Sequence, residues 1–237
     1  MTRLNWLLLL LLTNFSCGAY ADSDTDAIRS KLEAQSSQIK IKSITPSAIP
    51  GIYEVFANGS IYYVDKSAKY LMADARLIET ESKRNLTAER LKVLTAVKFE
   101  SLPFKNAFEI KQGTGAYHFA VFSDPDCPFC KNLEVGMNKL GITNYTASVF
   151  LFPLQELHPD ARWKAEAIWC TTDPSATWRN WMLDGKLPEK KTCNNPIDAN
   201  IKLADELGVY GTPAIYLNDG TQTSDPQQLV DAIRKIK

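Results

Sequence analysis

The stretch Asp124-Pro125-Asp126-Cys127-Pro128-Phe129-Cys130 decides how the rest of the chain is read. The apolar pair Val121-Phe122 precedes it and Lys131-Asn132-Leu133-Glu134 follows, so it reads as a strand end, a tight turn and a helix start. Pro128 suits the first helical position, where its missing N–H has no partner to lose. Cys127 then stands at the cap, with free N–H groups and the positive end of the helix dipole facing its sulfur. That environment favours the thiolate, the form that attacks a disulfide. Cys130 lies on the same side of the first turn and can close a ring with Cys127. The pair reads as a redox site.

Two blander readings are weaker. A tetrahedral zinc site needs two further ligands, and neither Cys170 with Cys193 nor His118 with His158 makes a second close pair. A purely structural bridge across so short a loop as 127–130 gains little from closure.

The N-terminus bears on compartment. Arg3, the apolar block Leu7 to Leu12 and Ala19-Tyr20-Ala21 have the order of a secretory signal, with removal expected after Ala21. The block is too short to span a bilayer. Cys17 after Ser16 offers a lipoprotein reading, against which stands Asn14, where a leucine-like residue is expected. Cleavage after Ala21 leaves four cysteines, an even count that in an exported chain points to pairs. Cys170 and Cys193 are expected to be joined, a loop closure contributing about 3 kcal/mol. The 27 basic residues balance 27 acidic ones, which argues against nucleic acid or a polybasic membrane contact. Roughly two hundred residues remain, enough for one medium domain and one small one.

In chain order, residues 24–38 read as an amphipathic helix carrying Ile28 and Leu32, and 40–45 as a strand. Ile52 to Phe56 and Ile61 to Val64 flank Asn58-Gly59, a hairpin dipeptide. Further strands are expected at 69–72 and 76–79. So small a core is marginal alone, which favours pairing with a second copy over an extra layer on a monomer. Residues 85–97 form a helix with a narrow apolar stripe, suited to joining two domains.

From about Phe104 strands and helices alternate. Residues 116–123 and 146–152 are strands joined through the helix that starts at Pro128, which implies a parallel pair. His118 reads as a packed or hydrogen-bonded strand residue, not a base. Helices at 160–171 and 176–183 carry Trp163, Trp169, Trp178 and Trp181, read as core. A helix at 197–207 ends at Gly208, and a last one covers 226–237. Thr212-Pro213 opens an apolar strand, an odd place for a residue without an N–H. A cis bond there would leave backbone groups for an extended substrate, and an ordinary trans loop is the alternative.

Taken together, Phe122-Ser123-Asp124, Cys127-Pro128-Phe129-Cys130, Ala167-Ile168-Trp169-Cys170, Cys193 and Leu207-Gly208-Val209-Tyr210-Gly211-Thr212-Pro213-Ala214 resemble the bacterial periplasmic disulfide isomerases of the DsbC/DsbG type. The resemblance covers essentially the whole mature chain. It implies an α/β (α+β overall) protein with a thioredoxin-like domain bearing a helical insertion at 104–237. It also implies a linker helix at 83–103 and a small cystatin-like dimerisation domain at 22–82, after a signal at 1–21. It further implies Cys127 as nucleophile, Cys130 as its resolving partner, Thr212 and Pro213 as the substrate-binding loop, and Cys170–Cys193 as the structural disulfide. The dipeptide Pro128-Phe129 is nearer the proline–aromatic pair of the DsbG branch, and Ala73-Asp74 stands where the family pattern has a glycine.

The activity so implied is isomerisation or reduction of non-native disulfides in mis-oxidised exported proteins, with chaperone activity, in a periplasmic homodimer. A DsbD-like membrane donor would keep it reduced, and no metal or organic cofactor is required. Two rivals differ in kind: a dithiol oxidase that donates its disulfide, and a holdase whose binding of unfolded chains owes nothing to redox chemistry.

Overall fold

The computed structural model describes residues 19–236, with side chains from Ser23 onward. The expected signal, including Cys17, lies outside them except at its last few residues. The described residues divide into two compact units, one made of 19–57 and 62–74, the other of 58–61 and 75–236.

In the first unit, α1 (Ala19–Gln35) is followed by four strands, β1 (Ile41–Pro46), β2 (Ile52–Ala57), β3 (Ser60–Asp65) and β4 (Leu71–Met72), in an antiparallel sheet of that order. Asn58 and Gly59 turn the β2–β3 hairpin with φ of 49° and 71°, the left-handed pair that an Asn-Gly turn supplies at little steric cost. Ile28 and Leu32, one helical turn apart, are buried with Tyr53, Val55, Ala57 and Val64. Polar ties hold the helix in register: Tyr53 Oη donates to Asp24 Oδ2 at 2.8 Å, and Arg29 Nη1 to Ile41 O at 3.0 Å. Asp74 takes φ 54°, a conformation glycine adopts most freely and aspartate tolerates.

The strand expected at 76–79 does not form. Ile78 makes only an isolated bridge to Asn85, Leu77 N donates to Thr87 Oγ1 at 2.8 Å, and Leu86 N donates to Leu77 O at 2.8 Å. The segment spends its backbone groups on the start of α2 (Leu86–Thr95) instead of on the sheet. Asn85 caps that helix, its side chain accepting from Ala88 N at 3.0 Å.

The second unit is built on β5 (Phe108–Gln112), β6 (Tyr117–Ser123), β7 (Tyr145–Leu151), β8 (Ala214–Tyr216) and β9 (Gln222–Thr223), in the order β5-β7-β6-β8-β9. Only β6 and β7 are parallel, joined through α3 (Pro128–Lys139). β5 is a strand that the sequence reading lacks. Its Phe108 and Ile110 alternate with charged residues, and five positions give too short a period-2 signal. The helices are α4 (Ala161–Trp169), α5 (Pro174–Asp184), α6 (Ile197–Leu207) and α7 (Pro226–Arg234).

Strand alternation sends alternate residues to opposite faces. Tyr117, Phe119 and Val121 of β6 join Leu133, Trp178 and Leu229 in one core. Ala120 and Phe122 join Phe150, Tyr216 and Ala204 in the other. His118 shares that second face: Nε2 lies 2.8 Å from Ser148 Oγ, and the ring packs against Phe99 and Phe104. α2 is tied to this unit through Val97 N, which donates to Gly220 O at 3.0 Å.

Candidate active site

β6 and β7 run parallel and end side by side, and the site lies just beyond their carboxyl ends. Asp124 to Asp126 follow β6, and Cys127 caps α3 with extended backbone (φ −72°, ψ 120°) and Pro128 directly behind it. Cys127 and Cys130 are free cysteines, 4 % and 1 % exposed. As a thiol, Cys127 donates to Thr212 O at 3.3 Å, and the peptide bond between Thr212 and Pro213 is cis. Residues 127, 130, 212 and 213 thus converge from two distant segments. The sulfur is more enclosed than its place in a turn suggests, while Phe129 beside it is 69 % exposed.

The two thiols are driven apart in acidity. Cys127 is brought down to about 5, first by its hydrogen bond with Cys130, then by Thr212 and by the N–H groups of Cys130 and Phe129, against the opposing effect of burial. Cys130 is pushed far above the ordinary thiol range, by burial first and then by its bond to Cys127. One sulfur is a thiolate at neutral pH and the other keeps its proton, the division of labour that thiol–disulfide exchange requires.

The turn before Cys127 is gripped residue by residue. The buried Asp124 accepts from Asp126 N at 2.7 Å, from Leu154 N at 2.7 Å and from His158 Nδ1 at 3.0 Å. Trp181 Nε1 donates to Pro125 O at 2.5 Å. Lys164 Nζ meets Asp126 at 2.6 and 2.8 Å and lies 4.9 Å from the Trp181 ring centroid. The hydrogen bond that His158 donates to Asp124 raises its midpoint from the ordinary imidazole value.

None of these clamps is evident in the sequence reading, which took the tryptophans as core and left His158 unassigned. Trp178 is fully buried, with Nε1 donating to Glu134 at 2.9 Å, but Trp181 is a polar strut as much as a core residue. One signal could have found His158. It sits in Leu157-His158-Pro159, just past the end of a parallel strand, where open α/β sheets place their sites.

Cys170, at the end of α4, and Cys193, in the loop before α6, form a disulfide. Among the described residues, no group of three or more His, Cys, Asp or Glu is placed to hold a metal ion.

Residues 19–88 match the family model of the disulfide bond isomerase protein N-terminal domain, and residues 104–236 match that of a thioredoxin-like domain. The "Probable thiol:disulfide interchange protein DsbC" of Bordetella avium is 34 % identical over 218 residues, covering 90 % of this chain and 76 % of the relative. DsbC of Escherichia coli K12 is 29 % identical over 218 residues, covering 91 % and 88 %. A crystal structure of a disulfide interchange protein from Neisseria gonorrhoeae superposes with a TM-score of 0.53 at 39 % identity, over 56 % of this chain and 97 % of that one. Likeness over most of this chain and of the curated relatives, together with a free dithiol beyond the ends of β6 and β7, leads to one conclusion: the chain belongs to the DsbC family of thiol:disulfide interchange proteins, disulfide isomerases built on a thioredoxin-like domain.

Proposed function

We propose that Cys127 is the nucleophile and Cys130 the resolving thiol of a periplasmic isomerase and reductase acting on exported proteins. The observation that carries this reading is the free dithiol at one helix start, with Cys127 at the cap of α3, its sulfur 3.3 Å from Thr212 O, and Cys130 buried one turn on. Cys127 thiolate attacks one sulfur of a substrate disulfide; that S–S bond breaks, a mixed disulfide forms, and the other substrate sulfur leaves as a thiolate. In isomerisation a second substrate thiolate displaces Cys127, so no net electrons move. In reduction Cys130 displaces the substrate and its proton passes to the leaving thiolate. The enzyme then holds a disulfide and the substrate two thiols. Two electrons from a membrane dithiol donor of the DsbD kind restore it.

Thr212 and Pro213 are assigned to substrate docking, since Thr212 O lies 3.3 Å from the reactive sulfur. Cys170–Cys193 is assigned a structural role. The organisation we assign is a signal at 1–21, a dimerisation domain at 22–82, a linker at 83–103 and a catalytic domain at 104–237. Homodimerisation is supported by β4, a two-residue edge strand whose Leu71 and Met72 are exposed, as is Tyr70 just before it. Such an edge offers unpaired backbone to a second copy.

A stabilised thiolate favours the dithiol form, so a supplied donor keeps the enzyme reduced. Alkylation trapping in cells is the test. A predominantly reduced Cys127/Cys130 pair supports isomerase work, and a predominantly oxidised pair transfers the assignment to the oxidase alternative.

A further inference from the structure

Two carboxylates, Asp124 and Asp126, precede the reactive cysteine in sequence, and they are balanced in different ways. Asp126 is paired with Lys164, both side chains largely buried, at 12 % and 17 % exposure for lysine and aspartate. Asp124 is fully buried, and its one cationic partner is His158, whose Nδ1 is 3.0 Å from Oδ2. Histidine alone among common side chains changes charge near neutrality.

We propose that His158 is a positioning residue for Cys127, carrying the positive charge that balances the buried Asp124 carboxylate at the root of the active-site turn. Asp124 also accepts from Cys127 N through its backbone carbonyl at 3.2 Å, so the balanced carboxylate and the nucleophile share one turn. The groups facing His158 are Asp124, Asp126 and Cys127 from the turn; Asp160 caps α4 two residues on and accepts from Trp163 Nε1 at 3.1 Å. Apart from Asp160 and the Lys164–Asp126 pair, the balance is one imidazolium against one carboxylate and one thiolate. Loss of the imidazolium proton leaves Asp124 unbalanced beside the thiolate and disfavours ionisation of Cys127. By linkage the converse holds: consuming the thiolate in a disulfide removes a negative charge, and His158 then releases its proton at lower pH. The attraction of Cys127 for the His158 charge has this sign. The fold therefore couples one proton, outside the dithiol, to the redox state of the pair.

This inference rests on Cys127 being the nucleophilic thiolate, and the test separates the two. The full chain is followed by NMR of its two histidine rings, assigned by ring-to-backbone correlation, in the dithiol and disulfide forms. His158 is expected to titrate about half to one pH unit lower in the disulfide form, with His118 unmoved. In parallel, thiolate absorbance at 240 nm is titrated in the wild type, in His158→Gln, which can keep a hydrogen bond to Asp124 but not the charge, and in His158→Ala. Gln and Ala are expected to raise the Cys127 midpoint alike, by a similar amount. An unchanged His158 midpoint between redox forms, or wild-type thiolate titration in the glutamine variant, overturns the proposal; the first needs no variant to fold. If the wild-type sulfur shows no thiolate near neutral pH, the functional reading falls and this inference with it.

Discussion

Cys127 and Cys130 stand as free thiols three residues apart at the start of α3, whereas Cys170 and Cys193 tie the end of α4 to the loop before α6, 23 residues on in sequence. Closing the short ring constrains little of the unfolded chain, so that pair is free to open and close. Closing the long one removes substantial chain entropy. Their surroundings differ accordingly. Around Cys127 the chain gathers N–H groups, a threonine and a second thiol, all of which favour the thiolate. A cysteine becomes reactive by what faces its sulfur and structural by how much chain it encloses.

The comparison breaks most visibly at the nucleophile. Cys127→Ala is expected to reduce refolding of a scrambled disulfide substrate by roughly a thousandfold or more, to the level without enzyme. Retained activity would remove Cys127 from the chemistry. The structural pair should answer in the opposite currency. Cys170→Ser with Cys193→Ser is expected to lower the unfolding free energy by about 3 kcal/mol in a urea titration. Iodoacetamide alkylation of Cys127 in the folded variant should stay close to wild type. Lost stability with lost reactivity would mean that the bridge also shapes the site.

The clamp on the turn joins the two regions, because Lys164 lies on α4 and Trp181 on α5. Lys164→Met leaves Asp126 a partly buried, unpaired carboxylate, at a cost of about 1–3 kcal/mol once partial solvent access is allowed for. Adding Asp126→Asn should recover most of it, as read by thermal unfolding of the single and double variants. Failure of the second change to recover stability would assign the cost to the packing of the lysine stem under Trp181 instead.

Much of this was legible in the chain itself. Cys127-Pro128-Phe129-Cys130 announces the helix start, because proline's missing N–H and the cysteine's cap position follow from backbone chemistry alone. Asn58-Gly59 announces the hairpin for the same kind of reason. What could not be read is whatever depends on segments meeting in space. Asp124 and His158 are 34 residues apart, and Lys164 and Asp126 are 38 apart. No local pattern records those pairings. The strand expected at 76–79 fails for a related reason, since its backbone finds the start of α2 before it finds a sheet.

The smallest effect is also the most diagnostic of the clamp. Asp124 raises the folded-state midpoint of His158 above the ordinary 6.5. A raised histidine midpoint means the folded protein holds the proton more tightly than the unfolded chain does. The stabilisation is therefore fully present below 6.5 and is lost as pH rises through the higher folded midpoint. The thermal midpoint of the reduced wild type should accordingly fall over that window relative to His158→Gln, which has no proton to lose, and the two curves should run parallel above it. Wild-type and glutamine curves parallel across the whole range would show that Asp124 holds His158 by a neutral hydrogen bond alone. The turn before Cys127 would then be gripped by geometry without charge.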